Sequence, residues 1–100
     1  MNETGIKEDV IKEIILLAQK YAIEKIILFG SRARGDYHRS SDIDLAVYGG
    51  DVLGFSLDVE EYTSTLLTYD VIDMDKKHQA DFVKSIEMEG KIIYEKIREL

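Results

Sequence analysis

The sequence predicts a small mixed α/β domain, a β-sheet flanked by helices, and three observations carry that prediction. Apolar residues recur at three- and four-residue steps near the start, short β-branched runs follow between glycine-marked turns, and a second helical period precedes the last apolar stretch. With 100 residues and 45% apolar content, residues 1–100 read as one domain with a modest core.

From Lys7 to Tyr21 the residues Val10, Ile11, Ile14, Ile15, Leu17, Ala18 and Tyr21 mark an amphipathic helix with one buried face. KIILFG, 25 to 30, is short, β-branched and closed by glycine, which suits a strand covered on both faces. DIDLAVY, 42 to 48, alternates: Asp42, Asp44 and Ala46 face one way, Ile43, Leu45 and Val47 the other. Gly49, Gly50 and Asp51 form a turn, and Phe55 to Leu66 reads as a weakly specified helix. TYDVIDM, 68 to 74, is a further strand, and Lys76 to Glu89 has helical spacing through Ala80, Val83 and Ile86 before Gly90 ends it. The last stretch, KIIYEKI, is either a short strand or the start of a helix ending at Leu100. No repeat, low-complexity segment or linker interrupts this order, and there is no proline.

Twenty acidic against 13 basic residues give a formal charge of −7, a poor basis for gripping a nucleic-acid backbone. No cysteine is present to build a disulfide framework or a thiolate metal site. The opening MNETGIKEDV has no apolar core of the signal-peptide kind, and no apolar run reaches membrane-spanning length. The expectation is a cytoplasmic protein with no direct nucleic-acid or membrane contact.

The chemistry concentrates in GSRARGDYHRSSDIDLAV, residues 30 to 47. Two carboxylates two residues apart on a strand project from the same face and repel each other unless a cation lies between them. Mg²⁺ suits the position, since it takes one or two protein carboxylates and fills its other sites with water and phosphate oxygens. Asp42 and Asp44 would supply that partial shell. Upstream, the apolar strand ends in Gly30-Ser31, where glycine lets the backbone approach a ligand and main-chain N–H groups can face an anion. The Ser31 hydroxyl can donate to phosphate, and Arg32 or Arg34 can add a guanidinium fork. Taken singly, an Asp-x-Asp pair, a Gly-Ser turn or a loop arginine is ordinary surface; it is their adjacency that points to a metal-phosphate site.

Gly30-Ser31, ten intervening residues and Asp42-Ile43-Asp44 resemble the signature of the DNA polymerase beta type nucleotidyltransferases. The whole stretch is similar to the minimal nucleotidyltransferase branch, of the MntA antitoxin type. The resemblance implies the polymerase beta-like fold and a third carboxylate on a neighbouring strand. TYDVIDMD offers Asp70 and Asp73. Alternation puts Asp70 on a face with Thr68, and its two aliphatic followers match the family pattern, although Ile72 and Met74 share that face. Asp70 is the better match and Asp73 the alternative.

The resemblance further implies transfer of a nucleoside monophosphate, AMP from ATP, to a hydroxyl, with two Mg²⁺ ions. Asp42 and Asp44 would bridge the metals, Asp70 would complete the first site and take the proton, Gly30 and Ser31 would hold the β- and γ-phosphates, and Arg32 or Arg34 would face the pyrophosphate. Such minimal chains resemble one half of two-protein systems whose other half is helical. That partner would be a HEPN-type RNase toxin adenylylated on tyrosine, with this chain as antitoxin, or a substrate-binding protein presenting a small hydroxylated molecule. A catalytically silent module that only neutralises a partner is a third reading. His38 and Arg39 are placed at the site entrance, and neither His38 nor His78 has a second imidazole at ligand spacing.

Overall fold

The computed structural model describes residues 2–97. After a short turn at Asn2–Thr4, the elements run α1 (Glu8–Lys20), β1 (Lys25–Phe29), α2 (Gly30–Arg34), β2 (Ile43–Tyr48), α3 (Val52–Tyr62), β3 (Tyr69–Asp73), α4 (Ala80–Glu89) and β4 (Lys91–Glu95). The strands form one mixed sheet in the order β3-β2-β1-β4. β1 lies antiparallel to both β2 and β4, whereas β2 and β3 run parallel and are joined through α3.

Two apolar layers follow from strand alternation. On one face Ile26 and Leu28 of β1 and Ile43, Leu45 and Val47 of β2 meet Val10, Ile14 and Ala18 of α1 and Phe55 and Val59 of α3. On the other, Ile27 and Ala46 meet Ile86 of α4, with Phe29, Tyr48, Met74 and Phe82 around them. Each fully buried Ile, Leu or Phe contributes roughly 1.5–3 kcal/mol by leaving water. The second layer leaves Asp42, Asp44 and Asp70 beyond its end, so one sheet face is core at one end and polar at the other.

The first helix, the strands β1, β2 and β3 and the glycine stop at Gly90 form where the sequence places them. KIIYEKI takes its strand alternative over Lys91–Glu95; the helical alternative ending at Leu100 runs into residues 98–100, outside the described residues. Two helix starts differ. The helix expected over Phe55–Leu66 instead spans Val52–Tyr62, because the Asp51 carboxylate accepts from the Gly54 N–H at 3.0 Å and caps it early. It stops before Ser64, whose N–H and hydroxyl both go to Glu13 at 2.7 Å. The helix expected from Lys76 begins only at Ala80. Residues 74–79 form a clasp across the strand ends: Asp73 accepts from the Asp75 N–H at 3.0 Å, and the Asp75 carboxylate accepts from the Gly49 N–H at 2.9 Å.

Candidate active site

The acidic residues meet at the end of the sheet where β1 finishes and β2 and β3 begin. The β2–β3 register sets Asp44 directly beside Asp70, and the antiparallel register sets Phe29, the last residue of β1, opposite Asp44. Asp42, two residues before Asp44, is exposed just ahead of β2 and accepts a short hydrogen bond from the Thr68 hydroxyl. Asp73 pairs with Val47 at the opposite end of β3, and its carboxylate is engaged by the Asp75 N–H. Asp70 rather than Asp73 therefore sits with the pair. Ile72 and Met74, the apolar residues that blur the face of Asp70, lie farther along that face, and Met74 packs into the layer under α4.

Gly30 is fixed by its neighbour. Its φ is +73°, and a Cβ there would collide with the Asp44 carboxylate. Ser31 follows, half-buried, in the five-residue helix α2, which closes on Gly35 through the Gly35 N–H donating to the Ser31 carbonyl at 2.8 Å. Arg34 is exposed, with Nε 3.4 Å from Asp36 and a terminal nitrogen 3.8 Å from Glu89.

Arg32 has a different position from the one expected of a phosphate ligand. It is 2% exposed, and its guanidinium donates to the carbonyls of Ser41 (3.0 Å), Thr4 (2.9 Å) and Arg39 (3.2 Å) while lying over the Tyr37 ring at 4.8 Å. The side chain thus ties the opening segment to the loop that delivers Asp42. The physical reason is sequence-distant: one planar fork satisfies carbonyls that belong to no helix or strand ladder.

Burial, followed by repulsion from Asp70 and then Asp42, raises the Asp44 carboxyl above its ordinary value; the Arg34 and Arg32 cations oppose this only in part. Such a group is short of positive charge. Among the described residues no three carboxylate, imidazole or thiolate side chains converge closely enough to enclose an ion by themselves. An open set of carboxylates on one face fits Mg²⁺, which keeps waters and substrate oxygens in its shell, better than it fits a metal needing a closed protein cage.

Comparison with known proteins gives the family. Residues 12–99 match the family described as polymerase beta, nucleotidyltransferase. The chain belongs to that family. A Methanocaldococcus jannaschii protein provisionally named a protein adenylyltransferase is 38% identical to this nucleotidyltransferase over 94% of the chain and 100% of its own length. A second from that organism, named likewise, is 39% identical over 82% of the chain and 88% of its own length. Among solved structures, a toxin–antitoxin with AMP-PNP superposes with a TM-score of 0.70 at 23% identity, covering 86% of this chain and 73% of that one, and shows the shared fold. A mutant MntA–HpeT toxin–antitoxin gives a TM-score of 0.67 at 25% identity over the same shares.

The likeness to minimal nucleotidyltransferases read from GSRARGDYHRSSDIDLAV is therefore borne out, as is the mixed α/β fold. Among the described residues no helix is long and apolar enough to cross a membrane. Thr68 was missed by the sequence reading, although the same alternation that selects Asp70 puts Thr68 on the acidic face. In this nucleotidyltransferase Gly30→Ala is expected to cost roughly 1–2 kcal/mol for the left-handed backbone alone. The displaced Asp44 carboxylate should lower transfer by on the order of 10²-fold. Thermal melts and single-turnover rates check both effects; an unchanged rate would show that Asp44 does not depend on that contact.

Proposed function

We propose that this nucleotidyltransferase moves AMP from ATP, with Mg²⁺, to a tyrosine hydroxyl on a helical partner of the HEPN-type toxin class, and so acts as an antitoxin in the cytoplasm. The observation that carries the reading is the side-by-side register of Asp44 and Asp70 next to Asp42, with Gly30 and Ser31 at the adjoining strand end. The acceptor and the system are supported by the kind of protein this chain is similar to: protein adenylyltransferases by name and toxin–antitoxin structures by fold.

In this reading Asp42, Asp44 and Asp70 would together hold the Mg²⁺. When bound, the metal supplies charge neutralisation for the triphosphate and lowers the acceptor's pKa. The Ser31 hydroxyl and the backbone at Gly30-Ser31 hold the β- and γ-phosphates, and Arg34, the exposed cation acting on Asp44, faces the leaving group. The acceptor oxygen forms a bond to the α-phosphorus as the bond to the bridging oxygen breaks. Pyrophosphate leaves, and the acceptor proton passes to the Asp70 carboxylate. Arg32 acts on the same reaction by holding the loop before Asp42.

The test is incubation with α-labelled ATP, Mg²⁺ and a candidate helical partner of the HEPN-type class. Label on a partner tyrosine, lost with EDTA, is the expected result. Label on a small hydroxylated molecule held by that partner would replace the antitoxin reading with a substrate-binding pair. Tight complex formation without any label would leave only neutralisation by binding.

A further inference from the structure

A cleft of about 350 Å³ opens between the start of α1 and the loop leading into β3, apart from the acidic cluster but at the same end of the sheet. Its lining includes Lys7, Arg39, Ser64, Thr65, Leu66 and Leu67. Three features make it a built site rather than a surface irregularity.

Both walls are anchored. The Ser64 N–H and hydroxyl are fixed on Glu13 and the Leu67 N–H on the Thr65 hydroxyl, which holds the β3 side. Arg32 holds the other, through the carbonyls of Thr4 and Arg39.

The cleft also carries uncommitted positive charge in an acidic chain. Lys20, Arg34 and Lys91 are each within salt-bridge distance of a carboxylate, and Arg32 is occupied by carbonyls. Among the described residues Lys12, Lys76, Lys77, Lys84 and Lys96 also stand outside these ion pairs, but Lys7 and Arg39, which have no carboxylate within that distance and no side-chain hydrogen bond, both line this one cleft. Two cations left unpaired in one cleft of a chain of charge −7 favour an anionic occupant.

Its rim is apolar and borders the chemistry. Leu66 is fully exposed, at 104% of its reference area. Leu67 leads to Thr68, which donates to Asp42, and then to Asp70; Arg39 stands three residues before Asp42. The triphosphate position at Gly30-Ser31 follows β1, whereas the cleft takes its β3-side wall from the loop just ahead of Asp70.

We propose that this cleft seats an acidic segment of the acceptor protein, with Lys7 and Arg39 pairing its carboxylates and Leu66 and Leu67 receiving an apolar side chain, so that the neighbouring hydroxyl is presented to Asp70. The inference rests on a protein acceptor and deepens that reading; it adds a determinant of which hydroxyl is modified. A polar pair flanked by leucines recognises charge and shape together, which an isolated lysine on the surface does not.

Binding without nucleotide separates this inference from the transfer reaction. Two fluorescent tyrosine-leucine peptides, one flanked by glutamates and one by lysines, are titrated with the protein and followed by anisotropy. The glutamate peptide should bind at least about tenfold tighter, and Lys7→Glu with Arg39→Glu should abolish or reverse the preference. Leu66→Ser should weaken the glutamate peptide alone, and affinity for a fluorescent ATP analogue should stay within about twofold of the parent in every variant. Equal binding of the two peptides, or a preference untouched by charge reversal, overturns the proposal. Loss of ATP-analogue binding on charge reversal overturns it too, by making the nucleotide the occupant. Peptide binding as expected with no transfer to any tyrosine would leave the cleft standing and remove the protein-acceptor reading.

Discussion

Asp44→Asn is expected to reduce nucleotidyl transfer by on the order of 10³-fold, equivalent to about 4 kcal/mol of lost transition-state stabilisation. The metal-free fold should melt no lower than the parent at neutral pH. The two effects have one origin. Burial and then the Asp70 and Asp42 charges raise the Asp44 carboxyl, so its ionised form is disfavoured in the folded chain. Above the raised folded value that penalty is fully present. As pH falls through it, the folded state takes up a proton that the unfolded chain does not yet bind, so this group's contribution improves toward acid. Asparagine removes both the charge and its pH dependence. Melting curves of parent and variant without divalent ions, from about pH 7 down to 4, should show the variant's advantage narrowing. Mg²⁺ with ATP should stabilise the parent and not the variant. A variant that melts well below the parent, or that still transfers, would contradict this account.

The second large effect is at Arg32. Arg32→Met should destabilise the domain by about 3 kcal/mol, because it removes the donor from three carbonyls at once and takes away the cation over Tyr37. For a domain of this size that corresponds to a fall in Tm of roughly 12–24 °C. Lysine should recover little, since an ammonium cannot span carbonyls from Thr4, Arg39 and Ser41 with one planar fork. Measured below the new Tm, the variant should lose kcat through a displaced Asp42 loop more than it raises KM for ATP. A normal Tm with a raised KM for ATP would restore the phosphate-contact role that the sequence suggests for this residue.

The contrast between Arg32 and Asp44 shows what the sequence could and could not convey. Asp42 and Asp44 were legible because strand alternation fixes their face, Asp70 only with the family pattern beside that alternation, and Gly30-Ser31 because a glycine closes an apolar run directly upstream. Arg32 was not, because its burial depends on carbonyls from Thr4, Arg39 and Ser41, which no periodic pattern brings together. The early start of α3 and the late start of α4 were hidden for a related reason. Each is decided by aspartates, Asp51 in one case and the pair Asp73 and Asp75 in the other, bonding to main-chain N–H groups in turns that carry no apolar period. Ile72 and Met74 blurred the face of Asp70 because α4, which covers the far half of that face, arrives only later in the chain.

The parallel ladder between β2 and β3 has a consequence for how the chain can vary. Asp44 and Asp70 are joined by a hydrogen-bonded register, and a strand can shift within a ladder only by steps that keep its faces, so a slip of one residue turns Asp70 into the apolar layer. Distance along the chain is therefore decoupled from distance in the site. Residues added between Thr63 and Leu67, past the end of α3, would lengthen a loop and leave the carboxylates where they are. A single residue added within Tyr69–Asp73 would turn either Asp70 or the apolar residues after it to the wrong face, which makes the spacing inside five residues, rather than the length of the connection before them, the part of this region that cannot drift.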